Sequence, residues 1–198
     1  MEKTKNHKIL FLDNDSVICL SNNWGGRTKK WANYRSANPD SSKDKKDAPV
    51  FVRFDDFDKK AIKILNEILE ETGAEIVVSS DWKLHATLEE LGEYYESQGI
   101  IKKPIALTPN IQNCKDYDSN FIWSPRWESE QIRTIEIKQY LHDHPEVTHW
   151  VAVDDLNMGK IGEPWKDEWA IDNFVLTPKQ NEGIKQLGIK EKILNYLK

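Results

Sequence analysis

Five short apolar runs punctuate the chain, each closed by a cluster of polar residues, and stretches of helical periodicity lie between them. The first run, Ile9-Leu10-Phe11-Leu12, stops abruptly at Asp13-Asn14-Asp15-Ser16. A run that is apolar at every position, rather than at alternate ones, predicts a strand buried on both faces. The second run, Glu75 to Val78, ends in Ser79-Ser80-Asp81-Trp82-Lys83, and a shorter third spans Pro104 to Pro109. The fourth, His149 to Val153, ends in Asp154-Asp155, and the fifth is Phe174-Val175-Leu176. Between the first two runs, Ala61, Ile62, Ile64, Leu65, Ile68 and Leu69 recur at helical spacing, with Gly73 where a C-terminal cap belongs. Further helices are predicted over about 87–98, 130–142 and 181–197.

Apolar strands alternating with amphipathic helices define an α/β chain: a Rossmann-like, parallel five-stranded sheet with helices on both faces. Two intervals break the pattern. Residues 22–49 are rich in Asn, Gly, Ser, Lys and Asp, and interleave Arg27, Lys29, Lys30 and Arg35 with Trp24, Trp31 and Tyr34, which reads as an irregular flap. Residues 110–129, with Tyr117, Trp123 and Trp127, read as an irregular loop. Both are too short for independent domains, so residues 1–198 are expected to form a single domain.

Composition narrows the function classes. With 38% hydrophobic residues, 31% charged residues and a net charge of −5, the chain has an ordinary globular balance and no global attraction for polyanions. Contact with nucleic acid would therefore be local, and the flap is the candidate stretch, although Asp40, Asp44 and Asp47 dilute its positive charge. Cys19 and Cys114 are far apart and lack ligand spacing, which argues against a disulfide framework and a zinc site. Met1 to Lys8 is polar, unlike a signal peptide, and no run has the length of a membrane span, so a cytoplasmic location without membrane contact is expected. A monomer and a homodimer are both compatible with the sequence.

In parallel sheets ligands bind beyond the carboxyl ends of the strands. There this chain has Asp13 and Asp15, Ser79 and Ser80, and Asp154 and Asp155. Singly, each reads as a turn or helix-capping residue. Together they bring four carboxylates and two hydroxyls to one crevice, where the repulsion calls for a cation. A set of oxygen ligands without His or Cys favours Mg²⁺ over zinc.

The segments Leu12-Asp13-Asn14-Asp15-Ser16-Val17, Val78-Ser79-Ser80-Asp81-Trp82-Lys83 and Val153-Asp154-Asp155 resemble the successive motifs of the haloacid dehalogenase (HAD) superfamily of phosphohydrolases. Ser79-Ser80-x-Trp82-Lys83, with the later Phe174-Val175-x-Thr177 and Gly183-Ile184, is similar to a HAD subgroup associated with RNA repair. The resemblance implies a phosphomonoesterase built on a HAD core, and the short irregular intervals at 22–49 and 110–129 predict no full cap domain on it. The resemblance also implies Asp13 as nucleophile through an aspartyl-phosphate, Asp15 as acid and base, and Asn14 facing away. Mg²⁺ would be held by Asp13, the backbone carbonyl of Asp15, and the pair Asp154 and Asp155. Ser79, or Ser80 in its place, would bind a phosphate oxygen. Arg133 is the expected phosphate-side cation, with Lys138 and Arg126 as alternatives. Ser16 stands where the subgroup often has Gly, and Lys83 where it often has Arg. Trp82 reads as a packing residue rather than a platform for substrate. The expected substrate is a phosphate ester, with nucleic-acid ends as one candidate. The alternatives are a small phosphorylated metabolite and a catalytically weak binding module.

Overall fold

The computed structural model describes residues 7–41, 44–113 and 129–198. Its strands are β1 (His7–Leu12), β2 (Glu75–Val78), β3 (Ala106–Leu107), β4 (Val147–Asp154) and β5 (Phe174–Leu176). They form one wholly parallel sheet in the order β3-β2-β1-β4-β5. Successive strands are added on one side of β1 as far as β3, and the chain then crosses to the other side for β4 and β5. The connections therefore diverge at the carboxyl ends of β1 and β4, and a crevice opens there.

The α-helices are α1 (Gly26–Ala37), α2 (Val50–Arg53), α3 (Lys59–Thr72), α4 (Leu88–Ser97), α5 (Ser129–Asp143), α6 (Pro164–Asp167) and α7 (Ile189–Leu197). Alternation along the strands divides the core. Leu10, Leu12, Ile76, Val78, Val151 and Val153 face one layer that includes Leu65 and Leu69 of α3, Leu91 and Tyr95 of α4, and Ile193 and Leu197 of α7. Ile9, Phe11, Val77 and Ala152 face the other layer, with Ile137 and Tyr140 of α5. The expected α/β sheet covered on both faces is thus the observed one.

Asp58 starts α3 by accepting hydrogen bonds from Lys60 N and Ala61 N, both at 2.9 Å. At the other end Gly73 closes the helix at φ 72°, a conformation that costs a residue with a side chain more than it costs Gly. Partial burial pulls the Asp58 pKa upward, but these N–H groups and Lys185 outweigh it and leave the pKa lowered. Asp58→Ala is expected to reduce stability in urea unfolding by about 1 kcal/mol. Because the lowered group stabilises only while ionised, the difference should shrink as pH falls below the ordinary aspartate range.

Two segments differ from the sequence reading. The stretch read as an irregular flap contains the three-turn helix α1, which has no buried residue and therefore no apolar stripe for periodicity to reveal. Polar ties hold it: Asp55 accepts from Arg27 N, Lys30 Nζ donates to Phe54 O at 3.1 Å, and Arg35 donates to Ser41 O. The C-terminal helix, expected over 181–197, is broken into a 3₁₀ turn at Gly183–Lys185 and then α7. Gly183 and Gly188 sit at φ 52° and 84°, outside the range of a continuous right-handed helix. Of the loop expected at 110–129, residues 114–128 lie outside the described residues, as do Arg126 and Cys114.

Candidate active site

The sheet ladder continues one residue beyond the strands and lines up their ends. Thr108 N donates to Val78 O, Ser79 N to Leu12 O, Asp13 N to Val153 O, and Thr177 N to Asp154 O, at 2.9 to 3.1 Å. Thr108, Ser79, Asp13, Asp154 and Thr177 thus form a row of buried polar residues across the sheet's carboxyl edge. The row explains why apolar runs ending in polar residues mark a site: backbone pairing carries on where the apolar side chains stop.

After β1 the chain turns sharply. Asn14 O accepts from Val17 N, Ile18 N and Cys19 N, and the Asn14 side chain accepts from Tyr95 Oη, so Asn14 points into the core. Asp13 and Asp15 are left on the crevice side. Ser16 adopts φ 60°, a left-handed conformation that favours Gly, which gives a physical reason for the glycine often found at this place in the similar motifs. Gly183 lies against this turn, with Ile184 N donating to Val17 O at 3.0 Å.

Asp13, Asp154 and Asp155 each present a carboxylate oxygen, and these atoms lie within 4.8 Å of one another. Arg133, 5% exposed, reaches in from α5. Its Nη1 is 3.3 Å from Asp13 Oδ1 and 4.0 Å from Asp154 Oδ2, and it donates to Ser79 O; its Nη2 is 3.1 Å from Asp81 Oδ1. Burial works against the Arg133 charge, but Asp13, Asp154 and Asp81 sustain it. Lys138 turns elsewhere, donating to Trp169 O at 3.0 Å. One turn beyond Arg133 on α5, Glu136 forms a buried ion pair with Lys83, whose Nζ also donates to Thr108 Oγ1 at 2.9 Å. This pair ties the loop after β2 to α5 and to the end of β3.

Burial, and charge crowding after it, raise the pKa values of the site's carboxyls. The Asp13 pKa is raised, first by burial and then by Asp154, against the pull of Arg133. Asp154 is pushed up to about 7 by burial, with Arg133 and the Leu156 N–H opposing. Asp155 is raised by desolvation, with the Ser16 hydroxyl opposing. Asp15 sits exposed at the mouth, yet the protein around its carboxyl raises its pKa too, against a hydrogen bond from Trp82. Folded-state values above the unfolded ones stabilise the fold at low pH, and that stabilisation is lost as pH rises through them. In EDTA, the melting temperature is therefore expected to fall between about pH 5 and pH 8, the window set by Asp154 near 7.

The donor set suits a hard divalent cation. Asp154 Oδ2, 4.0 Å from Arg133, and the Ser79 hydroxyl are buried without a hydrogen bond, so the crevice holds polar atoms that the protein leaves open to a ligand. Three oxygen ligands of one charge fit Mg²⁺ better than a softer ion. The Asp15 side chain does not join this cluster. Its Oδ2 instead accepts from Trp82 Nε1 at 2.8 Å, a contact that reading Trp82 as a packing residue did not anticipate. Asp81, the counter-ion of Arg133, was also missed, although it stands in the same polar run as Ser79 and Ser80.

A parallel sheet with this order, carrying an Asp-x-Asp turn after its central strand and further aspartates after the neighbouring one, defines the HAD superfamily of phosphohydrolases. Within it, the chain belongs to the family described as the HAD domain in Swiss Army Knife RNA repair proteins, whose model matches residues 9–186. No curated protein and no solved structure matches the chain. Among the described residues, no helix is long and apolar enough to cross a membrane.

Proposed function

We propose that the protein is a Mg²⁺-dependent phosphomonoesterase that uses Asp13 as nucleophile and Asp15 as general acid and base, acting on phosphorylated nucleic-acid ends. The observation that carries this reading is the buried Asp13 carboxylate, 3.3 Å from Arg133 and beside an Asp154 oxygen that accepts no hydrogen bond. In the first step an Asp13 oxygen attacks phosphorus, the ester P–O bond breaks, and the Asp15 carboxylic acid gives its proton to the departing alcohol oxygen. In the second step water attacks the aspartyl-phosphate while the Asp15 carboxylate takes its proton. The bond from Asp13 to phosphorus breaks, phosphate leaves, and both carboxyl groups return to their starting states.

Arg133 offers a fork of donors to the phosphoryl oxygens, and the Ser79 and Ser80 hydroxyls add two more. Asp13, Asp154 and Asp155, with the Asp15 backbone carbonyl, are the proposed Mg²⁺ ligands. Bound there, the ion supplies positive charge that lets crowded carboxylates stay ionised and offsets charge on the transferring group. Because the ligands must lose their protons first, Mg²⁺ is expected to raise the melting temperature more at about pH 8 than at about pH 5.5.

A groove of about 900 Å³ supports a bulky leaving group. Arg27, whose charge acts on Asp15, forms one wall, and residues Lys83 to Thr87, which follow Trp82, form another. Lys45, Lys46 and Arg53 add positive charge, and Asp44, Asp47 and Glu90 temper it. Arg27, Lys46 and Arg53 in the groove are paired with Asp55, Asp44 and Glu90, as Lys30 and Arg35 of the flap are engaged with the protein itself, so any nucleic-acid contact would compete with these internal pairs.

The test is release of phosphate from a generic aryl phosphate with Mg²⁺ and with EDTA. Folded protein inactive in both would leave the binding-module reading. Comparing 3′- and 5′-phosphorylated oligonucleotides with phosphorylated metabolites at two salt concentrations then separates substrates. A preference for metabolites without salt dependence would assign the site to small molecules.

A further inference from the structure

Asp15 is the one proposed reacting group that the buried row does not hold. It follows the strand end by two residues, on a turn, at the exposed mouth of the crevice. An acid that must present its proton to one oxygen of the substrate needs its carboxyl plane fixed, because a small misplacement costs much of the benefit. The neighbouring groups show what fixes it.

Trp82 is 4% exposed and stacks with two phenylalanine rings. Phe54 stacks on it with centroids 4.1 Å apart and planes 7° from parallel, and Phe57 at 5.4 Å and 21°. Tyr94 adds a tilted contact at 5.9 Å. Stacking on this scale leaves the indole little freedom to turn, and its N–H emerges 2.8 Å from Asp15 Oδ2. Indole nitrogen is a donor only. Whichever protonation state Asp15 is in, the oxygen facing Trp82 must accept, so the acid proton is confined to Oδ1.

We propose that Trp82 is the positioning residue of the acid and base Asp15: its stacked indole N–H occupies Oδ2 and leaves Oδ1 as the oxygen that exchanges protons with leaving group and water. The proposal rests on the phosphatase reading above. It also gives Phe54 and Phe57 a part in the reaction, since they hold the ring that holds the acid. A tryptophan buried only for packing would serve stability alike for every substrate, and that difference is measurable.

The full chain with Mg²⁺ is assayed on two esters of similar size: benzyl phosphate, whose alkoxide needs a proton to leave, and 2,4-dinitrophenyl phosphate, whose phenolate does not. The ratio kcat/KM reports on events up to the first irreversible phosphoryl transfer, where acid help is used. Two variants are compared with wild type. Trp82→Phe keeps an aromatic ring in the stack, and replacement of Trp82 by 3-benzothienylalanine keeps the bicyclic outline while exchanging N–H for sulfur.

Both variants are expected to lose about 10- to 100-fold in kcat/KM on benzyl phosphate and less than about 3-fold on 2,4-dinitrophenyl phosphate. Equal losses on the two esters, or no loss on benzyl phosphate, would overturn the positioning role while leaving the phosphatase reading intact. If wild type turns over neither ester, the phosphatase reading fails and the proposal with it.

Discussion

Asp13→Asn is expected to remove phosphate release by about four orders of magnitude or more, on the scale seen when an enzyme loses its nucleophile. An amide keeps the shape of the carboxylate and can still accept from Arg133, so the main ties of the site survive: Arg133 to Asp81 and Ser79 O, and the backbone bond from Asp13 N to Val153 O. The loss should therefore appear in kcat with folding preserved. Circular dichroism and a thermal melt establish the second point, and a continuous phosphate assay the first. One further readout belongs to the same variant. Burial and Asp154 raise the Asp13 pKa, and an amide does not titrate, so in EDTA the fall in melting temperature with rising pH should be shallower in Asp13→Asn than in wild type. Residual activity within about tenfold of wild type would move the nucleophile to another residue.

Gly183→Ala is expected to be the most destabilising small substitution in the described structure. A Cβ at this position would meet Val17 O at 2.2 Å, Leu20 Cδ2 at 2.5 Å and Ser16 O at 2.8 Å, and the residue sits at φ 52°. Two of the three obstacles are backbone oxygens of the turn that follows β1, so no side-chain rotation relieves them. Either the 3₁₀ turn at Gly183 withdraws and surrenders the bond from Ile184 N to Val17 O, or the turn bearing Asp13 and Asp15 is displaced. The cost is set at about 4 kcal/mol by combining overpacking against rigid backbone with the unfavourable φ. Urea denaturation measures it, and activity should fall further than the unfolded fraction alone explains. A loss under about 1 kcal/mol would mean that the contact yields easily.

The sheet and the candidate site were legible for a shared reason. Strands buried on both faces must be apolar throughout, so the point at which Leu12 gives way to Asp13, or Val153 to Asp154, is visible without a structure. Arg133 was reachable through its place at the front of α5, where the resemblance to other phosphohydrolases calls for a cation. Helix α1 was not legible, because a helix that buries nothing carries no periodicity, and its Asn, Gly and Ser content reads as loop. The break before α7 was hidden for a different reason. Gly183 and Gly188 are its only local signal, and the position of the break follows from the close approach of Gly183 to Val17, a contact between residues far apart in sequence. The bond from Trp82 to Asp15 has the same character: burial of a tryptophan is foreseeable, but the direction of its N–H is not.

Helix α1 has a bearing on how such a protein diversifies. Polar ties at Arg27, Lys30 and Arg35 and the ammonium of Lys45 over the Trp31 ring attach it, and none of its residues is buried in the core. Substitutions on its surface are therefore expected to have small effects on stability, while Arg27 at its first turn lines the groove and its charge acts on Asp15. Selection can redraw the rim of this groove without disturbing the row of residues at the strand ends. In this architecture, the groove rim and the strand-end row are free to evolve at different rates.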